Sequence, residues 1–231
     1  MAQKDTAALK WKKKKWFPLL APQTFDYQEV GQSLAIDKEE LVGKSVKMNV
    51  MHLTKNPRKQ NTSITFKIIS IREGNAQLTA QKFEIIPSAI KRFVRTGRDR
   101  IDDSFILKTK DGRYARVKPL LITRAHQPGT LHTKLRIQAT SFLRAHAAKF
   151  TLDELVKQVV DGSVLKSLKE VLNKIVVLRN CEIRAIEAID RVEGLKLSKA
   201  RKQTIEDAAK VEVVQADEPV QADEVPTKKE E

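Results

Sequence analysis

The chain of 231 residues predicts an α+β protein, and three observations carry that prediction. Residues 44–123 alternate apolar and polar positions at strand period, with turn residues between the runs. Residues 133–175 change to helical spacing, with capping signals at the breaks. Residues 176–189 return to strand alternation. A basic arm over residues 1–24 precedes this body, which runs from 25 to 202, and an acidic tail over 203–231 follows it. The body divides into a β-rich part (25–123), a helical part (133–175) and a late strand (176–189).

The arm is expected to be extended, because Pro18 and Pro22 interrupt it and helical periodicity is poor. Asp37-Lys38-Glu39-Glu40 before Leu41-Val42 predicts one capped helical turn, which Gly43 ends. Lys44 to Leu53 alternates, with Val46, Met48 and Val50 in phase. In Ser63 to Arg72, Ile64, Phe66 and Ile68 hold one phase and Ile69 and Ile71 the other. That change predicts a bulge or a strand buried on both faces. Glu73-Gly74-Asn75 turns the chain into a return strand from Ala76 to Ile86. Ala89, Ile90, Phe93 and Val94 fall at helical spacing within 88–96, and Gly97 is a natural stop. Asp102 to Lys108 and Tyr114 to Ile122 are strands joined by Lys110-Asp111-Gly112-Arg113, where Asp-Gly marks a hairpin. Short strands with tight turns and one inserted helix fit a small barrel or a sandwich.

After a Pro/Gly/His loop over 124–133, Thr133 is placed to cap a helix reaching about Lys149. Thr151-Leu152-Asp153-Glu154 forms a capping box ahead of Leu155, Val156, Val159 and Val160, with a stop at Asp161-Gly162. Ser163 then opens a third helix, with Leu165, Leu168, Val171, Leu172 and Ile175 inward. A short helix is expected from Ser198. The tail repeats Val-Gln-Ala-Asp-Glu at 214–218 and 220–224, lacks aromatics and is expected to be disordered.

Charge is the strongest functional signal. The chain carries +15, yet residues 203–231 hold nine acids and three lysines, leaving about +21 on residues 1–202. Such a body attracts polyanions. The sharpest cluster is Lys10-Trp11-Lys12-Lys13-Lys14-Lys15-Trp16-Phe17, since lysines neutralise phosphates and tryptophans stack on bases. Alternatively, Trp16 and Phe17 pin the arm to the core while the lysines stay solvated. A second cluster, Lys55, Asn56, Arg58 and Lys59, sits in a loop between strands, where cations and amides can meet phosphates and 2′-hydroxyls. The third is Lys91, Arg92, Arg95, Arg98 and Arg100, with Arg92 and Arg95 sharing part of a helix face. The fourth is Arg124, His126, Lys134, Arg136, Arg144 and Lys149. Between Ser104 and Leu152 the only acid is Asp111, whereas a merely solvated face mixes signs.

Other chemistries find little support. His52, His126, His132 and His146 are scattered, and no His/Cys spacing for a metal, phosphate-loop or nucleophile-elbow motif occurs, so no cofactor, metal site or enzymatic activity is expected. Asp102 and Asp103 with Glu84 would make a nuclease site only if a bulge turned adjacent carboxylates to one face. A single cysteine, Cys181, allows no intrachain disulfide, and no apolar run reaches the length of a membrane span.

The order of segments resembles the S-three-a-e family of small-subunit ribosomal proteins, also called the eukaryotic-type S-one family. The resemblance starts at Lys15-Trp16-Phe17, Leu20-Ala21-Pro22-Gln23-Thr24-Phe25 and Val30-Gly31-Gln32-Ser33-Leu34. It continues through Thr109-Lys110-Asp111-Gly112-Arg113-Tyr114, the helix over 134–149, the paired short helices and the late strand, spanning residues 10–200. It implies an α+β fold with a central antiparallel, β-barrel-like sheet and flanking helices. It implies a structural, rRNA-binding constituent on the platform of the small subunit, in the cytoplasm, beside other ribosomal proteins and near the messenger-RNA exit. The short N-terminal extension and repeated acidic tail resemble archaeal members. The alternative is a free RNA-binding chaperone or translation factor, which composition alone does not separate from the ribosomal reading.

Overall fold

The computed structural model describes residues 14–72 and 74–189. The expected lysine–tryptophan arm before Lys14, the short helix from Ser198 and the acidic tail lie outside the described residues. Nine strands form one open, branched sheet, β2-β1-β5-β9-β8-β6 along its main path. In that sheet β3 (Ser45–Asn49) pairs with β4 (Thr62–Arg72), β4 with β5, and β7 (Phe105–Lys108) with β8 (Tyr114–Thr123). No ladder among the described residues joins the edge strands into a closed barrel. Pairing is antiparallel except between β1 (Lys15–Leu20) and β5 (Asn75–Ile85), which run parallel at Leu19–Leu20 and Ala76–Gln77.

β1 corrects the expected boundary of the arm at residue 24. Phe17 and Leu19 alternate into the core at strand period, and β1 pairs with β2 (Glu29–Ala35) over most of its length. Pro18 is tolerated because β5 reaches only the last two residues of β1, so the other edge at Pro18 needs no donor there. The turn at Lys38–Leu41 is a 3₁₀ turn without a side-chain cap from Asp37. β3 stops at Asn49 rather than Leu53, because the Asn49 side chain accepts Met51 N–H at 2.9 Å and caps α1 (Val50–Thr54). The phase change in β4 (Thr62–Arg72) is a bulge: register shifts at Thr65/Phe66 and Ile68/Ser70, burying Ile68 and exposing Ile69.

Pro87 opens α2 (Pro87–Phe93) at its first turn, and extended Val94 ends it, so Arg95 lies beyond the helix. The strand expected over 102–108 is two pieces, β6 (Arg100–Asp102) and β7 (Phe105–Lys108), both paired to β8 (Tyr114–Thr123). The β7–β8 hairpin forms as expected, with Gly112 at φ 73° and Gly112 N–H donating to Thr109 O at 3.0 Å. α3 (Gly129–Ala147) starts one turn before Thr133, at the residue after Pro128, whose ring fixes the entry.

The capping box holds: Thr151 Oγ1 accepts Glu154 N–H at 3.3 Å, and Glu154 accepts Thr151 N–H at 2.9 Å, opening α4 (Leu152–Asp161). Gly162, at φ 80°, ends α4 and itself occupies the cap of α5 (Ser163–Asn173), displacing Ser163 from that role. α5 buries Val164, Leu168 and Leu172; Ile175 lies beyond it, exposed. It packs on β9 (Leu178–Ile189) and on α3, so the helices cover one face of the sheet. One continuous core runs from Phe17 of β1 to Ile186 of β9.

β5 is paired along one edge by β4, and along the other by β1 at one end and β9 at the other. Between these partners the edge is bare, and the Asp153 carboxylate fills the gap. It accepts Ala80 N–H at 2.8 Å and Thr79 Oγ1–H at 3.2 Å. Burial raises the Asp153 pKa against these donors, so the carboxylate is held there at some cost.

The other face carries polar side chains in register. Lys47, Thr65, Lys82, Glu187 and Arg116 stand opposite one another across β3, β4, β5, β9 and β8. Lys82 bridges Glu84 at 2.9 Å and Glu187 at 3.5 Å, Lys118 reaches Glu187 at 3.2 Å, and Lys47 pairs with Glu84. Hydrogen bonds from Lys47 and Lys82 lower the Glu84 pKa. At Glu187 burial pushes upward, but Lys118 and Lys82 outweigh it and the net shift is down. Depressed carboxylates stabilise the fold above their unfolded pKa, and that stability is lost as pH falls through the folded one.

Two predictions follow from this packing. Leu168→Ala, at a fully buried position, is expected to cost about 2–5 kcal/mol in urea unfolding, whereas Ile137→Ala at an exposed one stays within about 0.5 kcal/mol. Between pH 6 and pH 3 the wild-type chain is expected to lose about 1 kcal/mol more stability than a Glu84→Gln/Glu187→Gln variant, measured by denaturant melts at each pH.

Candidate nucleic-acid interface

Of the first cluster, Lys10, Trp11, Lys12 and Lys13 lie outside the described residues. Lys14 and Lys15 lead into β1, where alternation turns Phe17 into the core and leaves Trp16 65% exposed. Phe17 therefore anchors this segment, and Trp16 offers a free ring face.

The second and third clusters meet. Lys55 closes α1 in the left-handed region (φ 52°), and Asn56 caps the 3₁₀ turn Pro57–Lys59 by accepting Arg58 N–H at 3.1 Å. Asn56 thus spends its carbonyl on the loop's own backbone. Arg92 Nη2 donates to Asn61 Oδ1 at 2.8 Å, which sets α2 against this loop. Lys59 is drawn toward Asp161 at 3.6 Å, Arg100 pairs with Asp102, and Arg95 is exposed.

The third and fourth clusters are tied through Asp99, which lies between Arg98 and Arg100. Its carboxylate contacts His126 Nδ1 at 2.7 Å, Gln127 N–H at 2.6 Å and His132 Nε2 at 3.0 Å. The hydrogen bond from His126, with that of Gln127 next, depresses the Asp99 pKa and keeps it an acceptor. Asp99 thereby pins the loop carrying Arg124 and the start of α3 beside the arginine segment. Three clusters far apart in sequence form one belt: the 55–61 loop, the 92–100 segment and α3.

α3 has an acid-free outer face. Leu135, Ala139, Leu143 and Ala147 face the core, while Lys134, Arg136, Ile137, Arg144 and Lys149 are exposed. Arg136 and Arg144 line a shallow groove with Ile137, Thr140 and Ser141, closed on its far side by Asp103, to which Thr140 donates at 3.3 Å. Arg144 also lies over the Phe105 ring, 5.9 Å from its centroid, which directs the guanidinium. Eight residues of helix separate the two arginines by about 12 Å along the axis. Lys134 and Lys149 point outside this groove.

A further basic surface joins Lys91 and Arg100 of the third cluster to four cations outside the clusters. Lys47, Lys82, Lys91, Arg100, Lys118 and Arg184 surround a depression on the polar face of the sheet, against two acids, Glu84 and Glu187. Alternation within each strand hints at their shared side, but the side-by-side placement of β3, β5, β8 and β9 is tertiary. The depression continues toward the belt through Arg100.

The imagined carboxylate site does not assemble: Glu84 is held by Lys47 and Lys82, and Asp102 by Arg100. Among the described residues no group of three or more His, Cys, Asp or Glu is placed to hold a metal ion, and no helix is long and apolar enough to cross a membrane. Cys181 is buried, and burial pushes its thiol up to about 12, which leaves it unreactive. His146 is half-buried and stacked against Phe150 at 4.8 Å, and burial lowers its pKa, so it packs with the aromatic side chains beside it. What remains among the described residues is a cation-rich surface with hydroxyls and few exposed rings.

The chain is 32% identical over 165 residues to the small ribosomal subunit protein eS1 of Nanoarchaeum equitans, covering 71% of this chain and 83% of that protein. It is 27% identical over 190 residues to the protein of the same name from Methanopyrus kandleri, covering 80% and 90%. It is 28% identical over 173 residues to that of Methanobrevibacter smithii, covering 75% and 90%. The description of the ribosomal S3Ae family matches residues 2–191, from the arm through the last strand, and the chain belongs to that family.

Proposed function

We propose that this chain is a structural constituent of the small ribosomal subunit that binds and stabilises rRNA, on the platform near the messenger-RNA exit. As a member of a ribosomal-protein family it is a structural component of the archaeal type and not an enzyme. The observation that carries the rRNA reading is the belt joined by Asp99 and Arg92, whose α3 portion presents cations and hydroxyls without a single acid. Such a surface lowers the repulsion between converging RNA helices and fixes their packing through phosphates and 2′-hydroxyls. The lysine–tryptophan segment ahead of β1 adds further positive charge. Other small-subunit proteins and messenger RNA near the exit are the neighbours this position supplies, and the residence is cytoplasmic and ribosome-bound.

The test is sedimentation of native lysate through a sucrose gradient at low and high salt. Stoichiometric co-migration with the small subunit that survives moderate salt is expected; a protein that stays at the top is a free RNA-binding factor and the reading fails. With an archaeal small-subunit rRNA transcript, Arg136→Ala/Arg144→Ala is expected to lower the slope of log affinity against log salt by about 2. Removal of residues 1–13, which leaves β1 intact, is expected to lower it further. An unchanged slope in both variants would place the RNA elsewhere on the protein.

A further inference from the structure

The split in the sheet makes a second, more enclosed site. Beyond Lys82–Glu187, β5 and β9 part, and a cleft of about 650 Å³ opens between β5 and the ends of β8 and β9. Its lip is the β7–β8 hairpin. That lip is fixed: Gly112 holds a left-handed turn, Lys110 N–H donates to Phe150 O at 3.0 Å, and Asp111 accepts Leu152 N–H at 3.4 Å. Three cations line the cleft from two strands and the turn: Lys67 of β4, Lys108 of β7 and Arg113 of the turn. Among the described residues the one acid on the lining is Asp111. Arg113 Nη1 donates to Thr79 Oγ1 at 3.2 Å, which draws the guanidinium across the cleft mouth and leaves its other donors open. Among the described residues Tyr114 is the only aromatic side chain on the lining, and Gln81 brings an amide. None of these residues belongs to the belt.

We infer that this cleft holds one unpaired nucleotide of the bound RNA. The inference rests on the rRNA reading and deepens it. The volume lies in the range of small-ligand pockets, which suits a single extruded base and its flanking phosphates. Tyr114 supplies the ring for stacking, Gln81 a donor and acceptor for a base edge, and Lys67, Lys108 and Arg113 the charge for the phosphates on either side. The belt meets RNA by charge and shape; the cleft adds a contact that distinguishes an unpaired position from a paired one.

The experiment compares the full chain on two fluorescent RNA hairpins that differ only by a single bulged adenosine. Wild-type protein is expected to bind the bulged hairpin about tenfold more tightly. Tyr114→Leu is expected to abolish that preference while binding the plain hairpin unchanged, and Tyr114→Phe, which keeps the ring, to retain it. Lys67→Gln, at an exposed strand position that tolerates change, is expected to weaken the bulged hairpin selectively. If wild type binds both hairpins equally, or Tyr114→Leu and Lys67→Gln both keep the preference, the cleft is not a nucleotide site, though the rRNA reading stands. If wild type binds neither, the rRNA reading itself falls. Competition by free AMP at micromolar concentration would make the cleft a mononucleotide site and overturn its assignment to RNA.

Discussion

The molecule depends on how the outer edge of β5 is satisfied. A strand in the middle of a sheet needs partners on both sides, and an unpaired buried amide costs as much as a lost hydrogen bond. β4 pairs one edge of β5 throughout, but the other edge is shared by β1 and β9, which approach from opposite ends. Asp153 bridges the interval by taking Ala80 N–H. Its helix is positioned by the Thr151–Glu154 capping box, so a local helix signal decides where a sheet divides. The division joins the β1–β2 hairpin to the body, frees β9 to pair with β8, and opens the cleft beneath the β7–β8 turn.

The same economy governs charge. A surface this basic would repel itself, and the fold answers differently on different faces. On the polar face of the sheet Glu84 and Glu187 are interleaved among lysines, so that side is partly neutralised and rigid before anything binds. On α3 itself no acid lies among the cations, and the Asp103 carboxylate closes the far side of its groove. Asp99 stands between these regimes: it is spent on His126, Gln127 and His132, where it fixes geometry rather than neutralising the arginines beside it. Exposed cations without internal partners are the ones expected to exchange counterions on binding RNA.

Much of this was legible from residue patterns, and particular residues show where legibility stops. The hairpin at Asp111-Gly112 and the capping box at Thr151 are local devices, determined by backbone conformation within four residues, and both form as expected. The bulge in β4 was visible as a phase slip among Ile64, Phe66, Ile68 and Ile69. The start of α3 departs from the expectation because Thr133 is a good cap in isolation, whereas Pro128 five residues earlier already sets the entry angle. β1 was hidden by its lysines and its proline: an edge position excuses Pro18, and only a partner strand reveals an edge.

Local chemistry in the chain determined the class of fold, the succession of strands and helices, the absence of acids between Ser104 and Leu152 apart from Asp111, and a body that seeks polyanions. These follow from spacing and charge, which act over a few residues or need no geometry at all. Tertiary structure alone decided that three basic clusters form one belt, that Lys47, Lys82 and Lys118 share a face with Glu84 and Glu187, and that Lys67, Lys108, Arg113 and Tyr114 converge on one cleft. Such convergence depends on strand order and on where β5 and β9 part. Strand order is set by long-range pairing, a property of the whole chain that no window of neighbouring residues contains.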